Sequence, residues 1–271
     1  MQRAVVFSLL LGVVSLLLGV VWGISPLKAQ KRGDALKNRF ISKEIKADGD
    51  LSDWADSLQN YQAAAKLHYD AGNDEDNLYI AVKTSDLQTI RKILSFGFSF
   101  SVNTEGKKRS GPVVTFPVVD RIALRSEMEE NARSKKRLDI NTLNQQILSK
   151  TFGINVQGFK ALLDGNIALN NEYGIKTGAA LSDSGVFTYE LVIPLKRLGL
   201  DAENKNELAY NFKVNGVQRT VIEQGLPSMG RYGMYGYGYG GYGYGYGRSE
   251  PYKRTISETV EFWVKYTLSH E

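Results

Sequence analysis

The sequence contains no cysteine, only two histidines and only six prolines. The lack of cysteine excludes a disulfide-braced scaffold, a thiolate zinc site, a cysteine nucleophile and a lipid-modified cysteine. Common catalytic signatures are also missing, since there is no G-x-S-x-G, no H-E-x-x-H and no P-loop. We therefore expect a protein that is not an enzyme.

Long hydrophobic runs are missing except at the N-terminus. Residues 4–21 are almost wholly apolar, follow the basic Arg3 and precede small residues, which is the layout of a secretory signal peptide. We place this signal peptide at residues 1–29, with cleavage after Ala29 and a second candidate position after Gly23. The alternative is an uncleaved anchor, because 18 apolar residues are at the lower limit for a spanning helix. The prediction is an exported protein, periplasmic or extracellular, with no transmembrane segment after cleavage.

The chain has little net charge. Without residues 1–29 it carries 32 basic and 29 acidic residues, a net charge of +3. This excess is too small to predict a nucleic-acid partner. An exported chain without disulfides must be stabilised by its core, and the 242 remaining residues are enough to form one.

Apolar and polar residues alternate with a period of two along much of the chain, which is typical of half-buried β-strands. The clearest predicted strands lie at residues 78–83, 96–102, 187–193, 208–214 and 260–268. Weaker candidates lie at residues 64–70, 113–118, 159–169 and 172–180. Turn-forming residues separate these runs. Many short antiparallel strands joined by turns favour a β-sandwich over a parallel sheet.

Two segments with a helical pattern interrupt the strands. Residues 121–150 are highly charged and lack β-branched runs, so we predict that they form a helical insertion. This insertion could consist of two short helices. Asp139 or Asn141 could cap a helix within this insertion. A shorter helix is predicted at residues 87–94.

Glycine and tyrosine are concentrated in one segment. Residues 230–247 hold 9 of the 27 glycines and 7 of the 15 tyrosines. The wider low-complexity segment, residues 227–250, is predicted to be a flexible loop before the last strand. Two alternatives remain open. Residues 230–247 could mediate self-association, or Tyr237 and Tyr239 could fold over a ligand groove.

Four short motifs follow one another along the chain. They are Lys46-Ala-Asp-Gly-Asp-Leu-Ser-Asp-Trp54, Asp74-Glu-Asp-Asn-Leu-Tyr-Ile-Ala-Val82, Tyr189-Glu-Leu-Val-Ile-Pro-Leu195 and Glu261-Phe-Trp-Val-Lys265. In this order they resemble the motifs of family 9 carbohydrate-binding modules and of the related DOMON-like domains. The resemblance spans residues 40–268, and residues 30–39 would be a linker. It implies a single, mainly β domain, an antiparallel β-sandwich of jelly-roll type in which Trp54 plugs the core.

Candidate ligand-binding residues are aromatic, because flat aromatic side chains can stack against sugar rings and expel water. Trp263 is the first candidate, since its strand period places it with Glu261 and Lys265 on the side that faces solvent or a ligand. The alternative is that the helical insertion covers Trp263. Tyr79 is a weaker candidate, because its strand period also places it on the outward side of its strand. Tyr237 and Tyr239 are further candidates in the Gly/Tyr-rich segment.

A metal site is a separate hypothesis. Asp48, Asp50 and Asp53 are spaced like oxygen ligands, and Ca²⁺ takes six to eight oxygens, often from loops. The full EF-hand pattern is absent, and solvated turn residues are the alternative interpretation. The sequence predicts no cofactor other than Ca²⁺ at these three residues.

Two functional hypotheses follow. The first is an exported, non-catalytic carbohydrate-binding protein of the cell envelope or exterior, with a polysaccharide or other glycan as its partner. The second is a structural, assembly or adhesive envelope protein that associates through the Gly/Tyr-rich segment.

Overall fold

The computed structural model describes residues 35–54, 58–135, 138–216 and 258–270. The predicted signal peptide and the Gly/Tyr-rich segment, with Tyr237 and Tyr239, lie outside these residues. Every helix in the described part of the chain is too short or too polar to cross a bilayer.

The described residues form two β-sheets and three α-helices. The strands are β1 Leu36–Lys37, β2 Arg39–Phe40, β3 Asn60–Gln62, β4 Leu67–Asn73, β5 Asn77–Thr84, β6 Phe98–Asn103, β7 Val113–Val119, β8 Thr151–Gln157, β9 Gly165–Ala168, β10 Lys176–Leu181, β11 Phe187–Pro194, β12 Leu208–Val214 and β13 Val260–Thr267. The helices are α1 Leu87–Phe96, α2 Arg121–Arg133 and α3 Ile140–Ser149. The seven-stranded sheet has the order β1-β13-β12-β6-β7-β8-β9, and the six-stranded sheet has the order β10-β11-β5-β4-β2, with β3 also paired to β4.

The two sheets pack face to face over one hydrophobic core. Alternate residues of each strand point inward, so that aromatic rings from opposite sheets meet. The ring centroids of Tyr69 on β4 and Phe212 on β12 are 4.8 Å apart, and those of Phe98 on β6 and Tyr189 on β11 are 5.5 Å apart. The predicted β-sandwich is therefore confirmed. Both sheets are mixed rather than wholly antiparallel, because β1 pairs in parallel with β13 and β2 in parallel with β4.

The folded domain begins earlier than the sequence predicted. Leu36 pairs with Tyr266 in the seven-stranded sheet, and Arg39 pairs with Gly72 in the six-stranded sheet. The backbone N–H of Asn38, between them, donates to the carbonyl of Thr267 at 3.0 Å. Part of the predicted linker at residues 30–39 is therefore structural, and its two-residue strands are too short to show a period of two.

The helical insertion consists of two helices, as predicted. The Asp120 side chain caps α2, and the Asp139 side chain caps α3 by accepting from the backbone N–H groups of Asn141 and Thr142. Asp139 is thus the cap of α3. The main contacts of α3 are with β10, α1 and β7. β13, the strand that holds Trp263, is not among these main contacts.

The ends of β12 and β13 are held together where the chain enters and leaves residues 217–257. Val214 and Val260 are register partners, and the backbone N–H of Gly216 donates to Thr259 Oγ1 at 3.1 Å. The buried Lys92 on α1 donates from Nζ to the backbone carbonyl of Glu258 at 2.6 Å. The two strands therefore form a hairpin with a fixed base.

Candidate functional site

The outer face of the six-stranded sheet is covered by the chain's own N-terminal part. Residues 41–54, called here the covering segment, lie on this face and end at Trp54. They form a second, smaller core in which Ile41, Ile45, Trp54, Tyr79, Ala81 and Val192 are buried. The central strands β5 and β11 are consequently buried on both faces.

Glu190 on β11 fastens the covering segment. Its Oε1 atom accepts the indole N–H of Trp54 at 2.9 Å, and Oε2 accepts the backbone N–H groups of Gly49 at 2.8 Å and Asp48 at 3.2 Å. Glu190 is 1% exposed, and this burial raises its pKa to about 6, although the three hydrogen bonds act in the opposite direction. Two of the four sequence motifs therefore meet at one carboxylate.

Arg39 on β2 adds a second attachment. Its guanidinium bonds to Asp70 Oδ2 at 2.7 Å and to the backbone carbonyl of Trp54 at 2.5 Å. Asp70 is 5% exposed; burial raises the pKa of its carboxyl, and Arg39 and the backbone N–H of Ala71 oppose that rise. The buried carboxylates of this face, Glu190 and Asp70, therefore form contacts that attach the N-terminal part of the chain to the six-stranded sheet.

Tyr79 is not available to a ligand, in contrast to the sequence prediction. Its side chain has no exposed surface, and its hydroxyl donates to Asp74 Oδ2 at 2.5 Å. Burial and the bond to Asp74 raise the pKa of this hydroxyl well above its usual value. The period of two placed Tyr79 correctly on the outward side of β5, but the covering segment buries that side.

The three aspartates proposed as calcium ligands make turn contacts. Asp48 Oδ1 accepts the backbone N–H of Asp50 at 2.8 Å, Asp50 Oδ1 accepts that of Ser52 at 3.0 Å, and Asp53 Oδ2 accepts that of Lys46 at 3.4 Å. Within the described ranges, no group of three or more acidic or histidine side chains is arranged to hold a metal ion. The geometry brings no calcium site together here.

Trp263 lies on the outer face of the seven-stranded sheet. Its strand neighbours Phe262 and Val264 pack against the core, so the indole points to the opposite side, where it is half-buried. Asn211 on β12 is its cross-strand register partner. Lys265, two residues further along the same side, forms an ion pair with Glu207.

Other residues of this outer face are mainly amides and hydroxyls, arranged in two rows that cross the strands. The first row is Trp263, Asn211, Ser101, Val113 and Gln157, and the second row is Glu261, Lys213, Ser99, Thr115, Asn155 and Asn166. We call these two rows the polar face. Sequence patterns indicated only that such residues point outward; bringing them into rows requires the strand register.

Hydrogen bonds connect neighbouring side chains of the polar face. The Ser99 and Thr115 hydroxyls are 2.7 Å apart, the Asn155 amide donates to Asn166 Oδ1 at 2.8 Å, and the Gln157 amide donates to Asn155 Oδ1 at 3.1 Å. The exposed Gln157 and Asn166 keep further donor or acceptor capacity. Ser99, Ser101 and Asn211 are buried, so the part of the polar face that is open to a ligand is its far end.

A separate open groove of about 540 Å³ lies beside the turn between β4 and β5. The guanidinium of Arg197 lies 5.5 Å from the ring centroid of Tyr173, one of the lining residues. The carboxylates of Glu75, Asp76 and others line the groove together with cationic side chains. Because charges of both signs line this groove, its lining does not indicate one class of ligand.

No protein-family model matches the sequence, and no curated protein sequence matches it. The structure is similar to that of a family 9 carbohydrate-binding module from Caldicellulosiruptor kristjanssonii, solved in complex with glucose. The match covers 87% of this chain and 96% of that chain, with 8% sequence identity and a TM-score of 0.37.

Proposed function

We propose that the protein is an exported, non-catalytic carbohydrate-binding protein whose glycan site is the polar face around Trp263. The observation that supports this most directly is the position of Trp263, a half-buried tryptophan on the outer face of the seven-stranded sheet. An indole can stack on the C–H groups of a sugar ring, and an adjacent amide can bond to the ring hydroxyls. Half-buried Trp263 offers the first group, and Gln157 and Asn166 are exposed amides on the same face of the sheet. Asn211 beside Trp263 is buried, and its amide donates to the backbone carbonyl of Phe262 at 3.3 Å.

The acid content of the polar face favours binding over catalysis. Glycoside hydrolysis normally uses two carboxylic acids on opposite sides of the scissile bond. Glu261 is the one carboxylate in the two rows of the polar face. Export is proposed from the signal-peptide pattern of residues 1–29.

The test is glycan binding by a chain that starts at residue 30, measured on a glycan array and by retention on insoluble polysaccharides. We expect the native chain to be retained by at least one glycan and Trp263→Ala to lose most of that retention. Tyr61→Ala is the matched control, because Tyr61 is 55% exposed and lies on β3 of the other sheet. Equal retention of native chain and Trp263→Ala would contradict the site, and no retention on any glycan would contradict the function.

A second function is favoured by the composition of residues 230–247, in which Gly and Tyr alternate. Such aromatic low-complexity sequences can self-associate. If the protein acts in envelope assembly, deleting these residues should reduce self-association, measured by analytical ultracentrifugation. The midpoint temperature of thermal unfolding of the sandwich should not change. Unchanged association after the deletion would contradict this alternative.

A further inference from the structure

We infer that the protein has a second binding site, on the outer face of the six-stranded sheet, which takes an acidic sugar through Tyr61, His68 and Lys83. These three residues are called here the aromatic–basic patch. The ligand class is a sugar ring that carries a carboxylate. The patch lies on the opposite sheet from Trp263, so it is independent of the proposed glycan site there.

The strand register brings the three side chains of the patch together. Tyr61 on β3 pairs with His68 on β4, and His68 pairs with Lys83 on β5. Register partners point to the same face of a sheet, and the adjacent Leu67 and Val82 point into the core. The three side chains are therefore neighbours on the outer face, over a length of about 10 Å at the usual strand spacing.

The aromatic–basic patch is open to solvent. Tyr61 is 55% exposed, and His68 and Lys83 are exposed as well. Two residues further along the same strands, Asp70 on β4 and Ala81 on β5 are buried. Among the described residues, the cover over this face of the sheet therefore ends beside the patch, and a ligand can reach all three side chains.

The aromatic part of the patch suits a sugar ring. The ring centroids of Tyr61 and His68 are 4.7 Å apart, and their planes are tilted by 41°. Contact with the imidazole restricts the Tyr61 ring, which lowers the entropy cost of stacking a ligand on its exposed side. The C–H groups of a sugar can pack on the tyrosine ring, and the imidazole can hydrogen-bond to a sugar hydroxyl.

The charge of the patch favours an acidic sugar over a neutral one. Lys83 forms no ion pair with any residue in the described ranges. Two acidic residues close to it in the strands are already paired, Asp70 with Arg39 and Asp86 with Lys66. An exposed ammonium group without a carboxylate partner can form a charge-assisted hydrogen bond to a ligand carboxylate. A cation beside an aromatic ring thus matches a ligand with a carboxylate on a sugar ring.

The experiment is isothermal titration calorimetry of the chain from residue 30 with digalacturonate and trigalacturonate. Neutral galacto-oligosaccharides of the same lengths are the comparison. We expect the acidic ligands to bind more tightly than the neutral ones, because only they can pair with Lys83. Added salt should reduce this difference, since the ion pair is exposed.

The variants test each part of the patch. Lys83→Met should weaken binding of trigalacturonate about 5-fold, as expected for a lost exposed ion pair, whereas Lys83→Arg should retain most of it. Tyr61→Ala should weaken binding about 3- to 10-fold, because the stacking ring is lost. Lys160→Met is the matched control, since Lys160 is an exposed lysine between β8 and β9 of the other sheet.

The outcomes separate this second site from the one at Trp263. No binding of either galacturonate, or unchanged affinity in both Lys83→Met and Tyr61→Ala, would overturn the aromatic–basic patch as a binding site. Equal affinity for the acidic and neutral sugars, independent of salt, would overturn the acidic ligand class. Retention of neutral glycans should depend on Trp263 and be unchanged in Tyr61→Ala, so the failure of one site leaves the other standing.

Discussion

Glu190 accepts the indole N–H of Trp54 at 2.9 Å, although one residue lies on β11 and the other at the end of the covering segment. Both residues are 1% exposed. A buried carboxylate that loses a donor retains its desolvation cost, so each partner depends on the other. This contact explains why an acidic residue and a tryptophan in two separate motifs belong to one structural unit.

Substitution of Glu190 should destabilise the fold. In Glu190→Gln, the amide nitrogen would face either the backbone N–H groups of Asp48 and Gly49 or the indole N–H of Trp54, so at least one donor loses its acceptor. We expect the free energy of unfolding in urea to fall by about 1–3 kcal/mol. The matched control is Glu261→Gln, an exposed residue, with an expected change within about 0.5 kcal/mol. Equal stability of the two variants would contradict the role of Glu190.

The pKa of Glu190 predicts how stability depends on pH. Burial raises this pKa from 4.5 to about 6, so between these values the folded chain holds more protons than the unfolded chain. The contribution of Glu190 to stability is therefore fully present below pH 4.5 and is lost as the pH rises through about 6. The expected loss is about 2 kcal/mol. Urea unfolding of the native chain and of Glu190→Gln from pH 4 to 7.5 should show it as a change in their difference; a constant difference would contradict it.

Loss of Arg39 should leave a buried charge unpaired. Arg39→Met removes the cation that lies 2.7 Å from Asp70, together with the bond to the carbonyl of Trp54. Because the Arg39 side chain is 23% exposed, we expect a loss of about 2–3 kcal/mol, at the lower end for buried pairs. Scanning calorimetry should then show a thermal midpoint lower by about 4–12 °C.

Arg125→Met is the matched control for Arg39→Met. It breaks a helix-surface pair in which Arg125 and Glu129 are 72% and 51% exposed, so the expected change is below about 0.5 kcal/mol. Adding Asp70→Leu to Arg39→Met should recover part of the stability, because the unpaired carboxylate is then removed. No recovery and equal effects of the two arginine variants would contradict the prediction.

The two tryptophans of a chain that starts at residue 30 should be distinguishable by fluorescence. Trp54 is 1% exposed, whereas Trp263 is half-buried. We expect Trp263→Phe to emit at shorter wavelength and to be quenched by iodide several-fold less than Trp54→Phe, which retains Trp263. Equal quenching of the two variants would show that the polar face is not open at Trp263.

Strands that alternate regularly were predictable from the sequence, and irregular ones were not. β12 and β13 were found within one residue, because their inward residues are large and their outward residues are polar. β8 was missed, although Phe152, Ile154 and Val156 alternate, because Gly153 weakens the strand signal. The strand predicted at residues 159–169 is a turn followed by the short β9.

The candidate site was predictable only in part, because the strand register decides which of its residues become neighbours. The period of two indicated that Trp263 points outward, and the family resemblance implied that Trp54 is buried. The sequence could not show that Glu190 binds Trp54, since no local signal pairs residues of two distant segments. Tyr79 was assigned to a ligand because the period of two gives a direction and does not reveal what covers that side.

The register pair of Val214 and Val260 has a consequence for how this protein can change over time. In a hairpin whose base is already closed, each doubling of the connecting length costs only about 0.6 kcal/mol in loop entropy. The sequence between Gly216 and Glu258, whose contacts close this base, can therefore be lengthened, shortened or exchanged while the sandwich stays intact. Natural variation should concentrate there, and a protein engineer could graft a foreign peptide or reporter at the same position without redesigning the core.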